Sequence, residues 1–350
     1  MKKLRKGIAL ALAAALALSI TACGGTGGSG GTTSSGSAGS GSGSTGGSDY
    51  PNETISFVVP YAAGDGLDLS CRAMLDNIDL PVNTLVENIS GGSGTIGLQD
   101  AFNRDADGYT VAILSNGPTI AQPLLNDTLA YKLEDWDVLT FITAPVLAVL
   151  GCSDKMGIQN SDDMRAYLEG GNKFSVGVPS MSGFGYVAAA AMFDQMGIMD
   201  NVTWVTYDGA PALYQAYLSG EIDFATFDDN FAAQYANSGD AVTVGVVMND
   251  VRSQYFPDVA AAGEWGVEGL GANIGFKAAA VKKGTPQEIC DYLTEKINAA
   301  VTSQGYQDWC RDNYFGVLEE SDLYTSEEAN SMLLELRETN RTVLTAAGLL

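Results

Sequence analysis

A layered α/β architecture is the fold class that the sequence predicts, and three observations carry it. From residue 50 onward, short β-branched and aromatic runs alternate with helix-period stretches, the pattern of largely parallel sheets flanked by helices. The chain has 350 residues, 46% of them hydrophobic, enough for about two domains with sizeable cores. At 58–68 a strand runs through a two-glycine turn into a helix, and open sheets of this class bind ligands at the carboxyl ends of their strands.

Taken in order, the chain begins with a segment of another kind. Lys2, Lys3, Arg5 and Lys6 form a basic head, 8–20 is apolar or small throughout, and Ile20-Thr21-Ala22-Cys23 follows at once. This is the layout of a secretory signal peptide. It resembles a bacterial lipoprotein signal over 1–23, which makes Cys23 the expected lipidation site and first mature residue. The alternatives are an ordinary signal peptide or a membrane anchor, but an apolar core of about a dozen residues is short for a spanning helix. Residues 24–48 are Gly, Ser and Thr apart from Ala38, so 24–49 is expected to be a flexible tether with no side chains to build a core.

Strands are predicted at 55–59, 84–87, 110–114, 139–150, 174–178, 203–207, 224–227, 242–247 and 275–281. Helices are predicted at 69–78, 97–103, 161–169, 185–196, 210–219, 231–238, 286–303 and 326–347. In the first helix Cys71, Met74, Leu75 and Ile78 make one apolar face and Asp68 is a candidate N-cap. The turn before it places Gly64 and Gly66 at the positive end of a helix dipole, where backbone N–H groups can hold an oxyanion. A plain tight connection is the alternative.

Composition excludes several functions. The net charge is −24, and without the basic head 14 basic residues face 42 acidic ones, a charge of −28. Such a field disfavours nucleic acid and anionic lipid surfaces, and an anionic ligand would have to be held by local amides and dipoles. There is no histidine, which removes Ser-His-Asp and Cys-His activation and the commonest zinc ligand. Besides Cys23 the chain has Cys71, Cys152, Cys290 and Cys310, which permit but do not require disulfides; Cys290 and Cys310 fall on consecutive helices and could face each other. No metal-ligand spacing occurs and no cofactor is expected.

Two motifs mislead. Gly92-Ser93-Gly94-Thr95-Ile96-Gly97 follows a strand in the dinucleotide pattern, yet no strand ending in an acid comes about 20 residues later, so a tightly packed or anion-tolerant turn is the better reading. Asn103, Asp105, Asp107 and Gly108 begin like a calcium loop, but Leu114 stands where the bidentate Glu is needed.

The order of landmarks from residue 50 on resembles the substrate-binding proteins of tripartite tricarboxylate transporters, the Bug or TctC-type family. These are 55–61 with Gly64 and Asp68, Val86-Glu87-Asn88 with Gly94, Ile96 and Gly97, Asp107-Gly108-Tyr109-Thr110, Tyr207 with Gly209, Gly220-Glu221-Ile222-Asp223 and Gly284-Thr285-Pro286. The resemblance implies a two-domain, periplasmic-binding-protein-like fold. Each domain would be a mostly parallel sheet flanked by helices, with the ligand cleft between them: domain one 50–149 plus 272–350, domain two 150–271. It also implies two loops that grip a ligand carboxylate through backbone amides. One is 61–68, with Tyr61, Ala63, Gly64, Asp65, Gly66 and Asp68; the other is 180–186, with Ser180, Ser182, Gly183 and Tyr186. For Ser182 an ordinary N-cap role is compatible. Further wall residues by position are Asn116, Tyr207, Asp208, Gly209, Asp228 with Asp229, and Phe276; for Tyr207 and Phe276 a core role is an equal alternative.

Asp65 stands where the family typically has a second glycine, and Asp208 where a lysine usually follows the tyrosine. Each adds negative charge near the expected pocket and would repel a second carboxylate. The expected ligand is therefore a small carboxylate other than a tricarboxylate: an amino acid, another monocarboxylate with an amine, or a neutral aromatic acid amide. The expected protein is a monomeric, lipid-anchored extracytoplasmic receptor. It captures its ligand by domain closure and delivers it to the membrane subunits of a transporter, without enzymatic activity. A ligand-sensing lipoprotein and an enzyme using the same cleft are the other two readings.

Overall fold

The computed structural model describes residues 50–350 apart from 208, 209, 238, 240, 241, 272, 347 and 349, together with the side chain of 211. Cys23, the tether, Asp208 and Gly209 lie outside the described residues.

The elements run β1 (Ile55–Val59), α1 (Gly66–Leu75), β2 (Thr84–Asn88), α2 (Thr95–Asn103), β3 (Thr110–Ser115), α3 (Gln122–Leu125), β4 (Trp136–Phe141) and β5 (Ala148–Cys152). They continue with α4 (Ser161–Glu169), β6 (Phe174–Val178), α5 (Phe184–Gln195), β7 (Val202–Thr206), α6 (Ala210–Leu218), β8 (Phe224–Asp228), α7 (Asp229–Asn237) and β9 (Thr243–Val247). β10 (Lys277–Lys282), α8 (Gln287–Val301), α9 (Gln304–Asp312) and α10 (Ser326–Ala346) close the chain. The strands form two five-stranded sheets, ordered β2-β1-β3-β10-β4 and β7-β6-β8-β5-β9.

The two-sheet α/β class is as predicted, but each sheet is mixed and not mostly parallel. In the first, β1 is parallel to β2 and β3, whereas β10 is antiparallel to β3 and β4. In the second, β6 is parallel to β7 and β8, whereas β5 is antiparallel to β8 and β9. The exceptions are the strands that arrive from the other sheet. Lys277 opens β10 opposite Ser115, the last residue of β3, and Ala148 opens β5 opposite Asp228, the last residue of β8. A strand entering where its parallel neighbours end must run against them. The run 139–150, predicted as one strand, is divided for the same reason: β4 ends at Phe141 in one sheet and β5 begins at Ala148 in the other. The two crossings meet in an antiparallel bridge, Val146 to Gly275, with both N–H···O distances 2.9 Å.

Each sheet buries its own core. Ile55, Phe57, Val111 and Ile113 of the first are fully buried in one cluster with Met74 of α1, Leu293 of α8 and Cys310 of α9. In the second, α5 carries a buried run from Tyr186 to Phe193, as a helix enclosed on all sides must. α10 spans the pair, with Leu333 and Leu336 in the first cluster and Val343 and Leu344 in the second. Cys71, Cys152, Cys290 and Cys310 are all free and buried, so the Cys290–Cys310 pairing does not form. Burial pushes the thiols up, Cys71 to about 12 and Cys310 to about 11.

The glycine-rich turn after β2 is a close-packing device. A Cβ on Gly97 would stand 2.5 Å from the Ile89 carbonyl oxygen and 2.7 Å from Pro60 Cα, both backbone atoms with nowhere to go. Gly97→Ala is expected to destabilise the fold by about 1–3 kcal/mol, the usual range for overpacking. A lowered urea midpoint for this variant checks it.

Candidate functional site: a cleft between the two sheets

A cleft of about 600 Å³ opens where the carboxyl ends of the parallel strands of both sheets face one another. Tyr61, Asp65 and Gly66 line it from the start of α1, Gly91–Gly94 from the turn before α2, and Asn116 from the end of β3. Ser180, Ser182 and Gly183 line it from the start of α5, Asp228 from the end of β8, and Phe276 and Lys277 from the crossing into β10. Among the sequence-predicted residues, Tyr61, Asp65, Gly66, Asn116, Ser180, Ser182, Gly183, Asp228 and Phe276 are thus brought together. Ala63, Gly64, Asp68, Tyr186 and Tyr207 are not in the wall.

The reasons are local. Helix α1 starts at Gly66, three residues before the predicted start, because Asp65 and not Asp68 is its N-cap: Asp65 Oδ1 accepts from the Leu67 N–H at 2.9 Å. Asp68 is buried and turned inward. Its Oδ2 accepts from the Gly64 N–H at 2.8 Å, and Oδ1 accepts from Arg72 Nε and Asn88 Nδ2, each at 2.9 Å. Burial works to raise the Asp68 carboxyl, but Arg72, the Gly64 amide and Asn88 together hold it below its ordinary value. Gly64 supplies the left-handed φ of +87° that this closed loop requires. Two amides of the first loop are therefore occupied by the chain's own carboxylates.

The second loop is built differently. The N-cap of α5 is Gly183, which has no side chain to cap with, and not Ser182. Ser182 Oγ is instead 2.9 Å from Ser180 Oγ and accepts from Gln122 Nε2 at 2.9 Å, which ties this loop to α3. The uncapped start of a twelve-residue helix presents N–H groups and the positive dipole end to the cleft. Tyr186 leaves the cleft because it packs against Trp204, with ring centroids 4.7 Å apart, in the second core. Tyr207 leaves it because its hydroxyl donates to Glu221 at 3.0 Å. Phe276, 3% exposed and edge-on to Phe141 at 6.0 Å, belongs to the core, as one of its two alternatives held, and it also lines the cleft.

Asn116 Oδ1 and Thr226 Oγ1 are among the buried wall atoms that have no protein hydrogen-bond partner among the described residues. Asn116 donates through Nδ2 to the Ile274 carbonyl at 3.2 Å and leaves Oδ1 without a donor, and Thr226 Oγ1 is likewise orphaned. A buried polar atom without a partner costs about 1–3 kcal/mol, so water or a polar ligand in the cleft would stabilise both. Next to them, burial lifts the Asp228 carboxyl to about 6, with Lys277 drawing it down and Asp229 and Asp65 pushing it up. Asp229 is buried and tied to Ser253 Oγ at 2.7 Å and to the Leu147 and Asn230 amides. Burial raises it too, against those hydrogen bonds.

Sequence reasoning missed wall residues such as Thr226 and, among the charged ones, Lys277, 8% exposed, with its Nζ 5.3 Å from the centre of the Phe315 ring. Burial lowers its pKa, opposed first by Asp228 and then by Asp65. Its only signal was a lysine heading the apolar run Ala278-Ala279-Ala280-Val281.

Residues 72–333 match the family of tripartite tricarboxylate transporter receptors. The chain belongs to that family. Among known proteins it is 25% identical to protein BugT of Bordetella pertussis over 263 residues, 73% of this chain and 78% of BugT. It is 24% identical over 255 residues to a protein of the ttuE-ttuC' intergenic region of Agrobacterium vitis, 72% of each chain. Of solved structures, a TctC solute-binding protein from Polaromonas shares the fold at TM-score 0.69 and 24% identity, over 85% of this chain and 99% of its own. MatC of Rhodopseudomonas palustris with bound malate does so at TM-score 0.70 and 20% identity, over 84% and 100%. An adipate-bound protein of the same organism does so at 0.73 and 19%, over 86% and 99%. The chain is a solute-binding receptor of the TctC/Bug type, with the two-domain fold of periplasmic binding proteins.

In this TctC/Bug-type receptor Asp68 builds the loop and does not touch the cleft. Asp68→Asn is expected to cost about 1–2 kcal/mol near neutral pH, a modest figure because Arg72 is half exposed. The sign follows from the depressed carboxyl. Its stabilisation is full above the ordinary carboxylate pKa and is lost as pH falls through the lower folded value, so the gap to wild type closes below about pH 4. Urea midpoints of both proteins between pH 7 and pH 3 check this.

Proposed function

We propose that this receptor is a lipid-anchored extracytoplasmic protein that captures a small carboxylate-containing metabolite by closing two lobes over it and delivers it to a membrane permease. The sequence divides the lobes as 50–149 plus 272–350 and 150–271, and the start of β5 at Ala148 moves the first boundary to 147/148. The observation that carries the reading is the cleft itself: the uncapped N-terminus of α5 and the orphaned polar atoms of Asn116 and Thr226 converge on a space between two sheets joined by paired crossings. Paired crossings act as hinges in proteins that close over a ligand. The solved relatives with malate and with adipate support a carboxylate, and the occupied amides of the first loop support one carboxylate grip at α5 in place of two.

The basic head, short apolar core and small residues before Cys23 support lipid attachment at that cysteine. Cys23→Ser in the native host is expected to abolish incorporation of labelled palmitate and to release the chain from the membrane fraction. Continued labelling would remove the anchor from this account.

Closure has its own signature. A bound carboxylate is expected to reduce the radius of gyration in X-ray scattering and to raise the melting temperature, while citrate, with three carboxylates facing Asp65 and Asp228, has little effect on either. Strong stabilisation by citrate would contradict the reading of the two aspartates.

A further inference from the structure

The cleft holds a charge imbalance that nothing in its own walls resolves. Lys277 is the cation in the lining among the described residues, and it faces two carboxylates, Asp228 from the opposite sheet and Asp65 from its own. Lys277 is more than nine-tenths buried, yet among the described residues no carboxylate lies within 4.0 Å of its Nζ and it makes no hydrogen bond. The Asp228 carboxylate also has no hydrogen-bond donor among the described residues; its interactions are with the charges of Lys277, Asp229 and Asp65. Asp229, directly behind, adds negative potential while its own oxygens are filled by Ser253 and two amides. Asp65 uses one oxygen for the α1 cap and is itself an exposed residue of the cleft lining.

Two carboxylates sharing one ammonium leave one negative charge uncompensated in a partly dry site, where charge interactions are stronger than in water. A second ligand carboxylate placed there would meet three aspartates. A cation placed there would complete the set. In the lining of the same cleft, the uncapped α5 N-terminus favours an anion. The walls between are aromatic, with Tyr61, Phe184, Phe227, Phe231 and Phe276 in the lining.

We propose that Asp65 and Asp228, sharing Lys277, form an ammonium-binding subsite, so that the receptor takes a zwitterionic α-amino acid with an apolar body. The ligand ammonium lies between the two aspartates, its carboxylate sits at the start of α5, and its side chain lies against the aromatic wall. This rests on the receptor reading above, and it names Asp65, Asp228 and Lys277 as the residues that set specificity.

The test uses matched pairs that differ only in the amino group: L-phenylalanine with 3-phenylpropionate, and L-leucine with 4-methylpentanoate. Each is titrated calorimetrically into the full-length chain in mild detergent, with malate and adipate alongside. At least one amino acid is expected to bind about tenfold or more tightly than its deaminated partner, the range of a charge-assisted hydrogen bond. Asp228→Asn and Asp65→Asn are each expected to lower amino-acid affinity about tenfold while leaving any binding of the deaminated acid within about threefold. Asn caps a helix as well as Asp does, so Asp65→Asn keeps the α1 start intact and an unchanged thermal melt confirms that it folds.

Equal binding of the amino acids and their deaminated partners, or equal loss of both in the variants, would overturn the subsite. Binding of malate or adipate with no response to either amino acid would also overturn it, with the receptor reading left standing. Binding of no carboxylic acid at all would bring down the receptor reading and the subsite with it.

Discussion

Each sheet is completed by a strand that comes from the other, and the rest of the molecule depends on that constraint. β5 and β10 enter beside the carboxyl ends of β8 and β3, so both crossings reach the cleft lining, where they bridge to each other at Val146 and Gly275. The same entry makes both sheets mixed, since the arriving strands must run against their neighbours. It also decides which side chains reach the cleft. Lys277 is the first residue of β10 and Asp228 the last of β8, and opposite charges from the two sheets line one cleft because of where strands begin and end. Close contact at the crossing leaves no room for error: a Cβ on Gly275 would come within 2.7 Å of both Phe184 and Val146.

The electrostatics of the site follow from how the two loops dispose of their amides. A chain of net charge −24 repels anions at long range, but at the ionic strength of a cell distant charges are screened beyond about 8 Å. Local donors then decide. In the first loop Asp65 and Asp68 take the Leu67 and Gly64 amides, which turns an anion-binding turn into a self-satisfied cap. In the second loop Gly183 leaves the α5 terminus without a side-chain cap. The two loops therefore differ: the start of α1 is closed by the chain's own carboxylates and the start of α5 is open, while Asp65 and Lys277 from one sheet and Asp228 from the other add charge to the lining. That asymmetry suits a ligand with a charge of each sign better than one with two like charges.

Much of this was legible in the sequence, for physical reasons particular to each element. Strand 174–178 and helix 161–169 match the structure to the residue because each is a clean run: Phe174-Ser175-Val176-Gly177-Val178, and an amphipathic helix opened by the Asn160 cap. The start of α1 was misplaced because Asp65 and Asp68 are both good caps, and only the folded loop shows that Asp68 is taken by Gly64, Arg72 and Asn88. The division between β4 and β5 was hidden because 142–147 is as apolar as the strands on either side. Tyr186 was misread for a related reason: position near the ligand loop placed it in the cleft, whereas helix period carries it into the core against Trp204. Lys277 was out of reach, since its importance comes from Asp228, about 50 residues earlier in the chain and on the other sheet.

The most direct measurement is native mass spectrometry of the receptor purified from its own cells under gentle conditions, with the released small molecule identified by accurate mass and fragmentation. The account predicts a molecule with one carboxyl group and one basic nitrogen on an apolar body. A nitrogen-free di- or tricarboxylate in the cleft would contradict it.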